Sequence, residues 1–130
     1  MDLSARVHWE RDAAGELLVF DASNDTREEV LPLFEAFHRE VLSRPAGTVR
    51  VLADFENAVH STEITRKWKD AHDEHDRQVR KIACLGVTGG MKIVFAAYRF
   101  YARLRGLDID VKMKLFDAEG PARAWLLENL

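Results

Sequence analysis

Two histidines and three acids crowd the stretch His72-Asp73-Glu74-His75-Asp76, a spacing that metal chemistry can use. On a helix, His72, His75 and Asp76 fall at i, i+3 and i+4 along one side. Two imidazoles and a carboxylate placed so could hold zinc or another divalent ion. The stretch lacks the i, i+4 histidine pair of HExxH, and no second ligand cluster accompanies it. His38 and His60 join only if the fold brings them close. The plainer reading is a charged, solvated helix face with His75 over an apolar stripe, where burial would let it titrate near neutrality. No metal ligand is assigned.

Thr88-Gly89-Gly90, with Lys92 just beyond, offers backbone amides at a helix start, an arrangement suited to an anion. The spacing is neither GxxxxGK[ST] nor GxGxxG, so no nucleotide cofactor is expected. The alternative is a tight strand-to-helix turn that needs glycine conformations. Ser61 and Thr62 precede another helical pattern, where a hydroxyl ordinarily caps the orphan amides of the first turn. Cys84 sits in an apolar run and reads as a small, inert core residue. No Ser-His-Asp order and no paired carboxylates can be argued, so neither catalytic residues nor enzymatic activity is expected.

The elements that position these residues emerge from the apolar pattern. Ile82-Ala-Cys-Leu-Gly-Val-Thr-Gly-Gly90 is almost free of polar side chains and leads into Met91–Leu104, an apolar-basic helical pattern. A strand buried on both faces that feeds a helix belongs to a parallel sheet, and ligands usually sit at the loop leaving such a strand. Arg6–Glu10 and Leu17–Asp21 read as a hairpin closed by Asp12-Ala-Ala-Gly15. Thr26 and Glu29 form a capping box ahead of Val30, Leu33, Phe34, Phe37 and Val41, with Pro32 placed to kink or delay that helix. Val49–Phe55 is a second buried strand.

Thr62–Arg80 predicts a long polar helix with a thin stripe of Ile64, Trp68, Ala71 and Val79. Asp110–Phe116 alternates as a half-exposed edge strand with Lys112 and Lys114 on one face, and Asp117 is placed to cap a terminal helix. The prediction is one α/β domain over residues 1–130. It has a mostly parallel sheet of about five strands, an N-terminal hairpin and about four helices.

At 130 residues the chain can bury roughly two-thirds of its unfolded surface. Its 47% hydrophobic and 32% charged residues are those of a globular domain. The single cysteine and an N-terminus without a secretory pattern predict a reducing, cytoplasmic setting. A net charge of −3 argues against nucleic acid. The charge is uneven, with six basic and twelve acidic residues over 1–60 but six basic and two acidic over 91–114. The basic segment is either a solvated face or a surface for an acidic partner or anionic lipid.

In the aromatic helix, Val94, Phe95, Tyr98, Tyr101 and Leu104 make the core stripe, while Phe100, flanked by Arg99 and Arg103, falls away from it. A helix apolar on more than one side calls for a subunit, a ligand or a membrane surface; the alternative is a wide core stripe with one exposed aromatic. Trp68, Thr88, Gly89, Gly90, Phe95, Arg99, Phe100 and Arg103 are the candidate ligand or partner surface.

The ending Phe116-Asp117, then Ala122, then Trp125-Leu126 resembles the FD…A..WL terminus of SpoIIAA-like proteins, the STAS/SEC14 type of domain. Val51-Leu-Ala-Asp54 and Lys81-Ile-Ala83 … Gly86 are similar to that family's middle strands. The resemblance implies a non-catalytic domain without cofactor. STAS proteins act as protein-interaction switches, and SEC14-like relatives bind lipids. It also implies a phospho-switch at the helix after the third strand, where Ser61 or Thr62 stands, although the family's Asp-Ser-Ser-Gly motif is absent here. A regulatory protein-interaction module is the first expectation. A binder of small apolar ligands or lipid at a membrane surface is the alternative, and a metal-dependent enzyme the third. A homodimer through the Phe100 side is also expected.

Overall fold

The computed structural model describes residues 3–12, 15–59, 62–107 and 109–128, and within them not the side chains of Asp12, Thr62, His72, Asp73, His75 and Asp110. A short 3-10 turn at Leu3–Ala5 leads into β1 (Val7–Asp12), β2 (Gly15–Asp21), α1 (Arg27–Leu42), β3 (Val49–Asp54) and α2 (Thr62–His75). Then come β4 (Val79–Leu85), α3 (Gly90–Leu104), the single turn α4 (Ile109–Lys112), β5 (Met113–Phe116) and α5 (Glu119–Leu126). The strands lie side by side in chain order, with β1 and β2 antiparallel and the rest parallel. The α/β class, the hairpin and the mostly parallel five-stranded sheet are as the sequence predicts. Hairpin residues Ala13 and Ala14 lie outside the described residues.

Alternation along the strands sorts side chains to two faces. Leu18, Phe20, Val51, Ala53, Cys84 and Met113 point toward α1, α2 and α3, where Leu33, Phe37 and Val41 complete the main core. Leu17, Leu52, Ala83 and Leu85 point the other way, against Ala122 and Leu126 of α5. β4 is buried on both faces, which is why its sequence shows no alternation. At the start of α1, Glu29 N–H donates to Thr26 Oγ1 while Thr26 N–H donates to Glu29 Oε1, the reciprocal capping box. Helix α1 begins at Arg27 and continues through Pro32 without delay.

Three expected boundaries move. The polar helix stops at His75, five residues before Arg80, because the sheet claims the residues beyond it. Gly47 N–H donates to Arg77 O at 2.8 Å, Val49 N–H donates to Gln78 O at 2.9 Å, and Val79 pairs with Val49 in β4. The expected strand from Asp110 begins only at Met113. Ile109–Lys112 form a helical turn that buries Ile109, and β5 is correspondingly short. Asp117 is not the cap of α5; Ala118 holds that position with no side-chain bond to the first turn. Among the described residues no helix is long and apolar enough to cross a membrane.

The loop after β4 depends on Gly86. Its φ is +70°, and a Cβ there would stand 2.6 Å from Glu56 N. Gly47 has a similar φ of +73°, but nothing lies within 4 Å of its would-be Cβ. Gly47→Ala should therefore cost only the left-handed backbone penalty, about 1–2 kcal/mol. Gly86→Ala must also displace the Glu56 backbone and should cost about 3 kcal/mol or more. Urea unfolding of the two variants checks this; equal losses would show that the Gly86–Glu56 approach is not tight.

Candidate functional site

The C-terminal half of the sheet is incompletely covered. Val79, Ile82 and Cys84 of β4, with Met113 of β5, form the floor of a cavity of about 70 Å³. Ile64, Thr65 and Trp68 of α2 make one wall, and Met91, Val94, Phe95 and Tyr98 of α3 the other. By volume this is well beyond the ~10–15 Å³ that one water requires, and about half the ~150 Å³ of an engineered cavity that takes up benzene. The lining is almost wholly apolar, so water inside would find few partners. An empty space of this size costs about 2 kcal/mol at ~24 cal/mol per Å³. An apolar chain segment suits it better than a ring or a water cluster.

The cover is α2, and its hold on the sheet is narrow. Among its described side chains only Ala71 is buried; Ile64, Thr65, Trp68 and Lys69 are half-buried and the others exposed. Trp68 supplies the main contact. Its ring centroid stands 4.6 Å from that of Phe34, 5.8 Å from Phe37, and 6.0 Å from both Phe20 and Phe55. Phe55 in turn meets Phe95 of α3 edge-on at 5.3 Å. Trp68 thus both fastens α2 and lines the cavity.

The two charged side chains of the lining, Asp76 and Lys112, meet each other. Lys112 Nζ donates to Asp76 O at 3.0 Å and pairs with Asp76 Oδ2 at 3.3 Å, so the turn after α2 is tied to α4. Both side chains remain about a quarter exposed, which limits what the pair contributes to stability to roughly 1 kcal/mol or less. Cys84 is fully buried on the floor, and burial pushes its thiol up to about 12. It is no nucleophile at neutral pH.

The sequence-predicted surface divides in two. Trp68 and Phe95 come together at the cavity. Thr88, Gly89 and Gly90 are exposed at the start of α3, where Met91 N–H already donates to Thr88 O and Lys92 N–H to Gly89 O, each at 3.1 Å. Gly89 takes a φ of 55°, so the glycine turn is what the loop needs. Arg99 turns inward: its Nη2 donates to Met113 O at 3.2 Å. Phe100 and Arg103 stand on the outer surface. Leu104, expected in the core stripe, is 73% exposed, and Ala102 and Met91 are the buried residues of α3.

His60 and Ser61 lie outside the described residues, as do the side chains of Thr62, His72 and His75. Asp76 falls beyond the last residue of α2 and pairs with Lys112, so it does not continue the helical side of His72 and His75. His38 faces Glu74 Oε2 at 3.1 Å. Among the described residues no three His, Cys, Asp or Glu side chains are grouped to hold a metal. Sequence reasoning missed Lys112 in the lining because Asp110–Phe116 reads as a strand, and Ile109 falls just before that segment. The pairing of Lys112 with Asp76, 36 residues away, leaves no local signal.

No family model, curated protein or solved structure matches the chain.

Cys84 is the chain's single cysteine and reports on this cavity directly. A rise from 9.0 to about 12 lowers the thiolate fraction near neutral pH about a thousandfold. Alkylation of the native protein should run at least about a hundredfold slower than in urea. Between pH 9 and 12 the folded state holds a proton that the unfolded thiol has lost, so stability should fall as pH rises through that window. Cys84→Val should remove that fall. Native labelling as fast as unfolded labelling would contradict the burial.

Proposed function

We propose that this chain is a non-catalytic binding domain whose ligand is a slender apolar group, an alkyl chain of a few carbons, enclosed between α2, α3 and the sheet. The observation that carries the reading is the apolar cavity of about 70 Å³ beneath a helix fastened chiefly by Trp68. Ligand pockets are mostly apolar with a few placed polar groups, and the Asp76–Lys112 pair is such a group here. The lining supports binding over reaction, because Cys84 stays protonated and Asp76 and Lys112 engage each other.

The residues that resemble the SpoIIAA-like family fall on β3, β4, the end of β5 and α5, the frame behind the cavity. We read the chain as a domain of that STAS/SEC14 type, used to bind a small molecule rather than to switch by phosphorylation. The interaction-module expectation rests on the family resemblance together with the absence of catalytic motifs, whereas the cavity is a feature that calls for an occupant.

Thermal melts in a homologous series of straight-chain alcohols, butanol to decanol, test this. At about a hundredfold excess over Kd the native state gains about 2.7 kcal/mol, which should raise Tm by roughly 5–10 °C and change Trp68 fluorescence. Cys84→Ile from the floor and Val94→Phe from the α3 wall each fill the space, so both variants should lose the response without losing stability. A melt unmoved by every chain length, or variants that respond like the wild type, would contradict the reading.

A further inference from the structure

Helix α3 is apolar on two opposite sides. Met91, Phe95, Tyr98 and Ala102 face the core and the cavity. Ile93, Ala97, Phe100 and Leu104 repeat at i, i+4, i+7 and i+11 on the outside, where Ile93, Phe100 and Leu104 are 73%, 62% and 73% exposed. This outer stripe is about 17 Å long at the helical rise of ~1.5 Å per residue. Val111 in α4 is exposed as well, at 64%. Scattered exposed apolar residues need no explanation, but a continuous row along one helix does.

Charge selects the occupant. Lys92 and Arg103 each immediately precede a member of the apolar row and are exposed beside it, while Arg99 between them is turned inward to Met113 O. On the opposite flank the Arg105 guanidinium stands 5.6 Å from the Tyr101 ring centroid, and Lys69 Nζ of α2 stands 5.2 Å from it. From Gly90 to Leu107 the sequence holds no acidic residue, although the whole chain carries a net charge of −3.

We propose that the outer face of α3 docks on an anionic lipid bilayer surface. A helix lying in the interface sinks its apolar row to the acyl boundary while flanking cations snorkel to the phosphates. Each cation near such a surface adds to the attraction, and the contrast with the acidic remainder turns this face toward it. A second copy fits the face less well. An isologous pairing sets the same patch against itself, and α3 has no acid to answer the opposing lysine and arginines. Docking here also lays the cavity wall along the lipid surface. The two sites remain separately testable, because Phe100 and Arg103 do not line the cavity.

The test is co-sedimentation with vesicles of phosphatidylcholine alone or with about a third phosphatidylglycerol, at low and at high salt. The protein should pellet with the anionic vesicles at low salt and stay in the supernatant with phosphatidylcholine alone. High salt should release it. Arg103→Glu should weaken binding by about tenfold or more, and Phe100→Asp should abolish it. Arg27→Glu, the same charge change on exposed α1, should stay within about twofold of wild type. Both α3 substitutions are on the surface, and circular dichroism checks that the variants fold. Failure of the wild type to pellet with anionic vesicles would overturn the proposal. So would Phe100→Asp and Arg103→Glu binding like wild type. Light scattering that shows a dimer dissociated by Phe100→Asp would assign the face to a second copy instead.

Discussion

Trp68 is the contact on which the α2 side of this fold depends. Helix α2 is polar, and its described side chains include one buried residue, Ala71. Without an indole among Phe20, Phe34, Phe37 and Phe55, little apolar surface would hold the helix to the sheet. Helices take most of their stability from an apolar face packed on a core, and here that face is nearly reduced to one ring. Because the attachment is a ring rather than a full stripe, the helix fills the groove beside α3 only in part. The cavity is the space left over.

That arrangement also explains the chemistry of the site. Its floor is the interior strand β4, fixed between β3 and β5 and backed by α5, so it can hardly move to close the gap. Its one reactive atom, the Cys84 thiol, is kept protonated by burial. Its charges are paired at the end where α2 gives way to the turn before β4. A rigid floor, a lightly held cover and few polar groups are the features on which the proposed apolar-ligand reading rests. On the outer side of the same α3, the exposed row of Ile93, Phe100 and Leu104 faces away from all of this.

The frame was legible in the sequence wherever burial left a regular mark. The apolar run from Ile82 at the end of β4, the capping box at Thr26 and Glu29, and the aromatic helix with Phe100 turned outward are all visible in pattern alone. Errors arose where long-range contacts override pattern. Val79 continues the α2 stripe by spacing, but pairing with Val49 draws it into the sheet. Asp110–Phe116 alternates like a strand, yet Ile109–Lys112 form a helical turn in which Ile109 is buried and Lys112 is tied to Asp76. Leu104 follows Tyr101 by three residues, but the helical turn sets it with Ile93, Ala97 and Phe100 on the outer side of α3. The cavity carries no sequence signature, since a void is a property of how two helices meet a sheet. Only Trp68 and Phe95 hinted at it.

Native-state hydrogen exchange gives the most direct test of α2 as a cover. Segments with few buried apolar contacts open locally at a fraction of the global free energy, while core strands exchange only through global unfolding. Amides of Thr65–Glu74 should therefore exchange through openings far less costly than those of Val51–Ala53 and Ala83–Leu85. If the α2 amides prove as strongly protected as those of the two central strands, the helix is not a lightly held cover. The cavity beneath it would then be a sealed packing defect instead of a binding site.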